Sequence, residues 1–395
     1  MSRDRRGVVA AAAVLALVGL ALWQWSRADP TSPAHDAEVR APHPAAPGAA
    51  ATATQAPAAL AAAGTPATSV PAGTPGASPA PGTVGADAPL AEQAQVVAIG
   101  RQAADEYRRL AQYPPWSRPF GEEGEDPILR DRMVSPITAA GPNGEDPTLV
   151  VFPEQVSFEA PESVRLFAYL TVNGELVPAN RITGVVTTES LQPLAELAYG
   201  DDGRDGDPRP GDHVYTALFE PDPSFAPELS ESFLVRVVAE TGEGEPRIAA
   251  TGFLYSNPHA QLTGNYRDTI ADGSLAIDAE VEVRRAGRFH LEGTLYSRDG
   301  SRGVGEAHTA AELPTGRHWM RLTFFGRLIS QSEIDGPYLL RFLALSTTTA
   351  MPNAKNRLVE NPHRTASYRF TQFNPAPFDD PDLLDAADRL ERDLQ

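Results

Sequence analysis

SVRLFAYLTVNG, residues 163–174, is the stretch that decides the fold class. Val164, Leu166, Ala168 and Leu170 recur at every second position, the period of a strand that buries one face. Asn173-Gly174 follows at once, and this pair suits the positive φ angles of a tight hairpin turn. Working outward, Arg181–Thr188, His213–Phe219, Phe233–Glu240 and Ile248–Tyr255 read as further strands separated by turn signals. Residues 145–258 are therefore expected to form an antiparallel β-sandwich.

The same pattern returns in residues 259–374. Leu275, Ile277, Ala279, Val281 and Val283 alternate with polar neighbours, and Phe289–Tyr296, Trp319–Phe325, Tyr338–Leu345 and Ser367–Phe373 add strand candidates. Asp299-Gly300 and Asp335-Gly336-Pro337 punctuate them as turns. No long helical pattern interrupts either region, which argues against a parallel α/β sheet. The expected fold is mainly β, with two antiparallel sandwiches in series.

The N-terminus carries a different signal. Arg3, Arg5 and Arg6 precede an apolar run from Val8 to Trp25, broken only by Gln24. As a helix this run spans roughly 27 Å, close to the bilayer core. Trp23 and Trp25 suit the headgroup boundary, and the arginines favour the cytoplasmic side. Residues 1–27 are expected to be a cytoplasmic tip and a transmembrane anchor. The competing reading is a cleaved secretory signal, because Ser26-Arg27-Ala28 resembles a small-x-small cleavage site. Under both readings the body is exported, and the anchor places it in the periplasm on the inner membrane.

Residues 28–92 are mostly Ala, Pro, Thr, Gly and Ser without an aromatic residue. Such a segment buries too little apolar surface to offset chain entropy, so it reads as a disordered spacer. Its ends would lie about 45 Å apart as a flexible coil. In residues 93–144 a short helix over Ala91–Gln112 is followed by a Pro-rich connector. Val96, Ile99, Ala103, Tyr107 and Leu110 approximate one helical face, expected to pack on the first sandwich. Residues 375–395 form an acidic tail with Leu383, Leu384, Leu390 and Leu394 along a surface helix, or else a docking peptide.

The formal net charge of −19 repels phosphate backbones, so nucleic acid is not an expected partner. The chain has no Cys, which removes disulfides and N-terminal cysteine lipidation. The residues best suited to chemistry lie in one loop, Asp201–Asp212, with five aspartates and three glycines in twelve positions. Asp201, Asp205, Asp207 and Asp212 offer oxygen ligands for a hard cation such as Ca²⁺, in a spacing similar to a calcium loop. Gly203 and the short Asp212 depart from that spacing, and the alternative is a hairpin connection in which Asp and Gly serve turn geometry.

Asp201-Asp202-Gly203…Gly211-Asp212-His213-Val214-Tyr215-Thr216 resembles the DDG…GDGVYT signature of bacterial immunoglobulin-like modules of the choice-of-anchor X kind, with His213 in place of the usual Gly. Val172-Asn173-Gly174, Gly293–Tyr296 and Asp335–Tyr338 are similar to other strands and turns of such proteins. The resemblance spans roughly Tyr113 to Phe373 and implies immunoglobulin-like modules of the cell envelope, without an activity. The eight histidines are scattered, with no His-Glu-x-x-His pair, Gly-x-Ser-x-Gly elbow or phosphate-cradling loop. The expectation is a non-catalytic binding, scaffold or assembly module whose partner is another envelope protein or a surface glycan. The alternatives are a secreted or surface carbohydrate-binding or adhesion protein released by signal cleavage and an envelope hydrolase.

Overall fold

The computed structural model describes residues 90–121, 124–141, 144, 146–222, 227–242 and 245–394; the Val8–Trp25 run and the spacer up to residue 89 lie outside them, while residues 90–92, placed in the spacer, already belong to a helix. Among the described residues, no helix is long and apolar enough to cross a membrane. The chain enters as helix α1, Leu90–Leu110, and continues through a two-residue strand β1, Ser117–Arg118, and one helical turn α2, Pro127–Arg130. Asp126 caps that turn by accepting hydrogen bonds from the N–H groups of Ile128 and Leu129, and Pro127 takes the first position, where no N–H is needed.

The first sandwich then follows. Its strands are β2 Ile137–Ala139, β3 Thr148–Pro153, β4 Ser157–Glu159, β5 Val164–Val172, β6 Glu175–Val177, β7 Arg181–Thr188, β8 Pro193–Ala198, β9 Tyr215–Phe219, β10 Ser230–Glu240 and β11 Arg247–Ser256. One sheet has the order β2-β3-β5-β6, with β9 also on β5; the other has the order β4-β11-β10-β7-β8. All pairs are antiparallel except β4 with β11. Val164, Leu166, Ala168 and Leu170 of β5 all point inward, and meet Phe233, Val235 and Val237 of the facing sheet in one core. Each such side chain, taken from water, contributes roughly 1.5–3 kcal/mol.

The second sandwich contains β12 Ala260–Ala271, β13 Ser274–Val283, β14 Gly287–Tyr296, β15 Gly303–Leu313, β16 Gly316–Phe324, a short helix α3 Gly326–Ser332, β17 Leu339–Thr347, β18 Ala354–Lys355 and β19 Val359–Arg364. Sheet β12-β13-β16 packs on sheet β1-β15-β14-β17-β18, and β19 also pairs with β17. The core joins Leu275, Ile277 and Val281 to Phe289, Leu291 and Leu340. Residues 367–373, expected as a strand, form irregular chain with a 3₁₀ turn at Phe370–Gln372. Their backbone bonds go to the preceding loop instead: Gly336 N–H donates to Tyr368 O, and Phe370 N–H to Asp335 Oδ1.

One expectation is corrected and another refined. The segment before the first sandwich packs on the second one. β1 pairs with β15, Trp116 meets Phe378 edge-on, Phe120 lies against Tyr296, and the Tyr113 hydroxyl donates to Gln331. The acidic tail is the expected surface helix, but one side of it is docked. It forms helix α4, Pro381–Asp393, which packs antiparallel to α1, with Arg108 reaching Glu391 at 2.6 Å and Asp388 at 3.1 Å. Ala104 and Ala387 are fully buried, whereas Val96 and Ile99 remain exposed. A helical period shows that a stripe exists but not which body covers it.

Candidate functional site

The Asp201–Asp212 loop is held by its own carboxylates. Asp201 Oδ1 accepts from the N–H of Gly211 (2.7 Å) and Asp212 (3.1 Å), and Oδ2 from that of His213 (2.9 Å). Asp207 accepts from Gly203 N–H at 2.7 Å and Arg209 N–H at 3.2 Å, and Asp212 from Val214 N–H at 2.9 Å. Asp205 sits at φ +50°, a turn conformation that Asp tolerates. Among the described residues no three His, Asp or Glu side chains are arranged to hold a metal ion. Asp201 and Asp207 thus hold the loop as a tight connection through backbone N–H groups, while neither Asp205 oxygen nor Asp212 Oδ2 accepts a hydrogen bond among the described residues.

A second cluster was not singled out from sequence. In β14 and β15 Glu292 lies opposite His308 and Thr294 opposite Glu306, so His290, Glu292, Thr294, Glu306 and His308 share the face turned away from the core. His290 Nδ1 is 2.8 Å from Glu292 Oε1, and the His290 and His308 rings lie 5.4 Å apart. The segment from Trp116 to Arg132 covers this face as a strap. His308 N–H donates to Trp116 O at 2.9 Å, Ser117 Oγ to Glu306 O at 3.0 Å, and the Tyr296 hydroxyl to Asp126 Oδ2 at 2.9 Å.

Burial under the strap shifts the titrations. Loss of solvent and the nearby Glu292 charge push the Glu306 carboxyl up to about 7, against the pull of Arg118. Loss of solvent also opposes the charge on Glu292, but its hydrogen bond with His290 and the surrounding cations outweigh it and hold it below the usual value. Burial, with the neighbouring His290, holds His308 below the ordinary imidazole value. A carboxyl that gains or loses its proton near neutrality beside an imidazole has acid–base capacity. The space beside it, between Arg132, Glu292, Ser346 and Lys355, is about 60 Å³, far below the few hundred Å³ of a small-molecule pocket. The strap is bonded to the backbone of this cluster's strand and covers its side chains.

A third polar node ties the edge of the second sandwich. Asp268 binds His363 Nε2 at 2.6 Å and accepts from the Tyr368 hydroxyl at 2.8 Å and Ala366 N–H at 3.1 Å. Burial disfavours its charge, yet these three donors hold it below the usual carboxylate value. It has the carboxylate–imidazole half of a triad, but among the described residues no hydroxyl hydrogen-bonds the other His363 nitrogen. The two partners lie 95 residues apart, so no local motif could have announced them.

No curated protein matches the chain. Among solved structures, a DUF4785 family protein from Legionella pneumophila subsp. pneumophila str. Philadelphia 1 aligns with 17% identity over 57% of this chain and 57% of that one, with a TM-score of 0.41. A tetra-tandem repeat from the extending region of a large adhesion protein aligns with 12% identity over 60% and 56%, with a TM-score of 0.21. Trypsin-activated alpha-2-macroglobulin from Escherichia coli aligns with 14% identity over 56% of this chain and 16% of its own, with a TM-score of 0.22. At these identities and scores the likenesses bear on neither activity nor ligand. Residues 259–360, nearly all of the second sandwich, match the C-terminal domain of DUF4785, a family of unknown function.

Proposed function

We propose that this protein is a single-pass inner-membrane protein whose exported body is a non-catalytic binding and scaffold module of the cell envelope, built from two immunoglobulin-like sandwiches. The observation that carries the reading is the N-terminal run Val8–Trp25 behind Arg3, Arg5 and Arg6, followed by a spacer too poor in apolar residues to fold. The way the spacer meets the body supports it. The chain leaving the spacer enters α1 and is stitched into the second sandwich through α4, β1 and the strap, so a tether would pull on a packed body rather than on a loose end. The resemblance of the Asp201–Thr216 string to choice-of-anchor X modules points to the same compartment. The absence of cysteine leaves the body indifferent to the redox poise outside the cytoplasm.

Membrane fractionation of the full chain in a Gram-negative host tests the reading. Full-length protein that resists carbonate extraction and is digested by protease only after the outer membrane is opened is the expected result. A mature chain that begins near Asp29 would replace the anchor with a cleaved signal. Recovery of the body in the cytosol would end the proposal.

A further inference from the structure

The second sandwich carries a cavity that none of the readings above uses. About 600 Å³ opens between the Ser297–Arg302 turn joining β14 to β15, the loop at Asp335 and the end of β19, and Ser297, Arg298, Asp299, Asp335 and Arg364 line it. Its volume falls in the range of small-molecule sites. Arg298 and Arg364 face it, and two more arginines flank it. Arg302 closes the turn, its N–H bonded to Ser297 Oγ at 3.0 Å, and Arg341 reaches to within 3.8 Å of a methyl group placed on Gly300. Among the described residues, none of these four guanidinium groups is ion-paired with a carboxylate. Arg364 donates to Arg298 O at 2.7 Å, Arg341 to Asn361 Oδ1 at 2.8 Å and Arg302 to Ser332 O at 3.5 Å, all neutral acceptors. In a chain of net charge −19, four cations without an anionic partner around one cavity are a local reversal of the protein's field.

The two carboxylates of the lining explain why the arginines stay unpaired. Asp299 Oδ1 accepts from Ser297 Oγ at 2.7 Å, Ser301 Oγ at 2.8 Å and Ser301 N–H at 3.1 Å, while Asp335 Oδ1 accepts from Phe370 N–H at 3.0 Å. Asp299 is fixed by donors of its own turn and Asp335 by the Phe370 backbone, and each keeps Oδ2 without a hydrogen bond among the described residues. The cavity therefore presents two kinds of recognition element. Guanidinium forks match phosphate or carboxylate groups, and fixed carboxylate oxygens accept hydroxyl donors. A ligand that satisfies both carries an anionic group and several hydroxyls on one small frame.

We propose that this cavity binds an acidic saccharide, a sugar unit bearing a carboxylate or phosphate, with Arg298 and Arg364 on the anion and Asp299 and Asp335 on hydroxyls. The inference rests on the reading of the exported body as a binding module and supplies its ligand class. The test is calorimetric titration of the full chain in detergent micelles with trigalacturonate, glucose 6-phosphate, neutral maltotriose and inorganic phosphate. Saturable binding of one or both acidic sugars without binding of maltotriose is the expected result. Loss of the charge-assisted contacts in Arg298→Ala/Arg364→Ala should weaken binding about tenfold or more. Arg298 is exposed and its side chain has no partner among the described residues, so Arg298→Glu provides a second variant with an undisturbed fold, and charge reversal there should abolish binding. Absence of saturable binding by either acidic sugar, or undiminished binding by Arg298→Glu, overturns the site. Inorganic phosphate binding as tightly as glucose 6-phosphate overturns the saccharide assignment. These failures are distinct from failure of the membrane reading, because fractionation of the same variants reports the anchor independently.

Discussion

A carboxylate has two oxygens, and Asp201 spends both on the backbone at the far end of its loop, just before β9. The N–H groups of Asp212 and His213 would lose their acceptor in Asp201→Ala, while Gly211 N–H keeps the Asp201 carbonyl, at a cost of about 2 kcal/mol. Urea unfolding should show that loss, whereas Asp205→Asn, which keeps a residue tolerant of positive φ and breaks no hydrogen bond, should stay near the parent. Because Asp201 and Asp207 already fix the loop through backbone N–H groups, millimolar Ca²⁺ should leave both melting curves unmoved; a calcium-dependent rise lost in Asp205→Ala/Asp207→Ala would contradict that. The aspartates were legible as a group because Asp and Gly crowd into twelve positions, and both of their possible jobs could be named from sequence. Glu306 was not legible, since its partner Glu292 lies on another strand and its cover arrives from Trp116–Arg132. Its carboxyl sits at about 7 against an ordinary value of 4.5, so the folded state prefers the protonated form. That contribution is complete below pH 4.5 and is lost as pH rises through 7. His308 has the opposite sign, its depressed value adding stability as pH climbs toward 6.5, so the profile of the parent protein blends the two. Glu306→Gln removes one component. Its stability relative to the parent should improve by roughly 2–3 kcal/mol between pH 4.5 and 8. A pH-independent difference between the two proteins would refute the buried-carboxyl account.

At the scale of elements, the α1–α4 pair shows how a sequence pattern can be right about an element and wrong about its face. The expected helix over Ala91–Gln112 is present as Leu90–Leu110, but of the expected stripe Val96 and Ile99 are exposed and Ala103, Tyr107 and Leu110 only half-buried. The covered positions are Gly100, Ala104 and Ala111, and opposite them Leu383, Ala387, Leu390 and Leu394 supply the seam of α4. Gly100 is close enough to Leu394 that an added Cβ would lie 2.7 Å from its Cδ1. Small residues let the two backbones approach, and hydropathy alone ranks them below the valine and isoleucine left in water. The Arg108 contacts to Glu391 and Asp388 sit at the solvent edge, where ion pairs contribute little. Arg108→Ala should therefore leave amide exchange in both helices close to that of the parent. Ala387→Leu, which forces a larger side chain into a filled seam, should cost about 1–3 kcal/mol and speed exchange in α1 and α4 together. Fast exchange confined to α4 would mean that the helices do not stabilise each other.

Taken whole, the chain does not run as beads on a string. Residues 90–132 belong to the second sandwich, residues 137–256 make an excursion through the first, and the chain returns at Ala260 to complete the body it began. Direct bonds hold the two sandwiches at their junction. Lys355 N–H donates to Ser256 Oγ at 3.1 Å, Arg357 N–H to Glu159 Oε2 at 2.8 Å, and Arg285 pairs with Glu228 at 2.9 Å. Alternation at Val164–Leu170 and Leu275–Val283 exposed the sheet architecture to a reader of the sequence, because one face of each strand is apolar at every step. β15 escaped that reading. Gly303, Gly305, Ala307, Ala310 and Ala311 have low strand propensity, and tertiary packing overrides it. The strap supplies the reason for the glycines: a Cβ on Gly303 would meet the Phe120 ring at 2.1 Å, and one on Gly305 the Arg118 carbonyl at 2.8 Å. The strap and the strand beneath it are thus one unit, and removing residues 82–135 should be felt in the second sandwich rather than the first. Burial of Tyr113 and Ile128 alone would be forfeited, roughly 3–6 kcal/mol. The shortened chain should keep its strand signal in circular dichroism and melt well below the parent, with amide exchange accelerated in β14 and β15 but not in β5 or β10. Re-solvated, Glu306 should return to the ordinary carboxyl range, so the pH-dependent gain of Glu306→Gln should vanish in the shortened background. If that gain persists there, the strap is not what buries the carboxyl, and the joined-unit description fails.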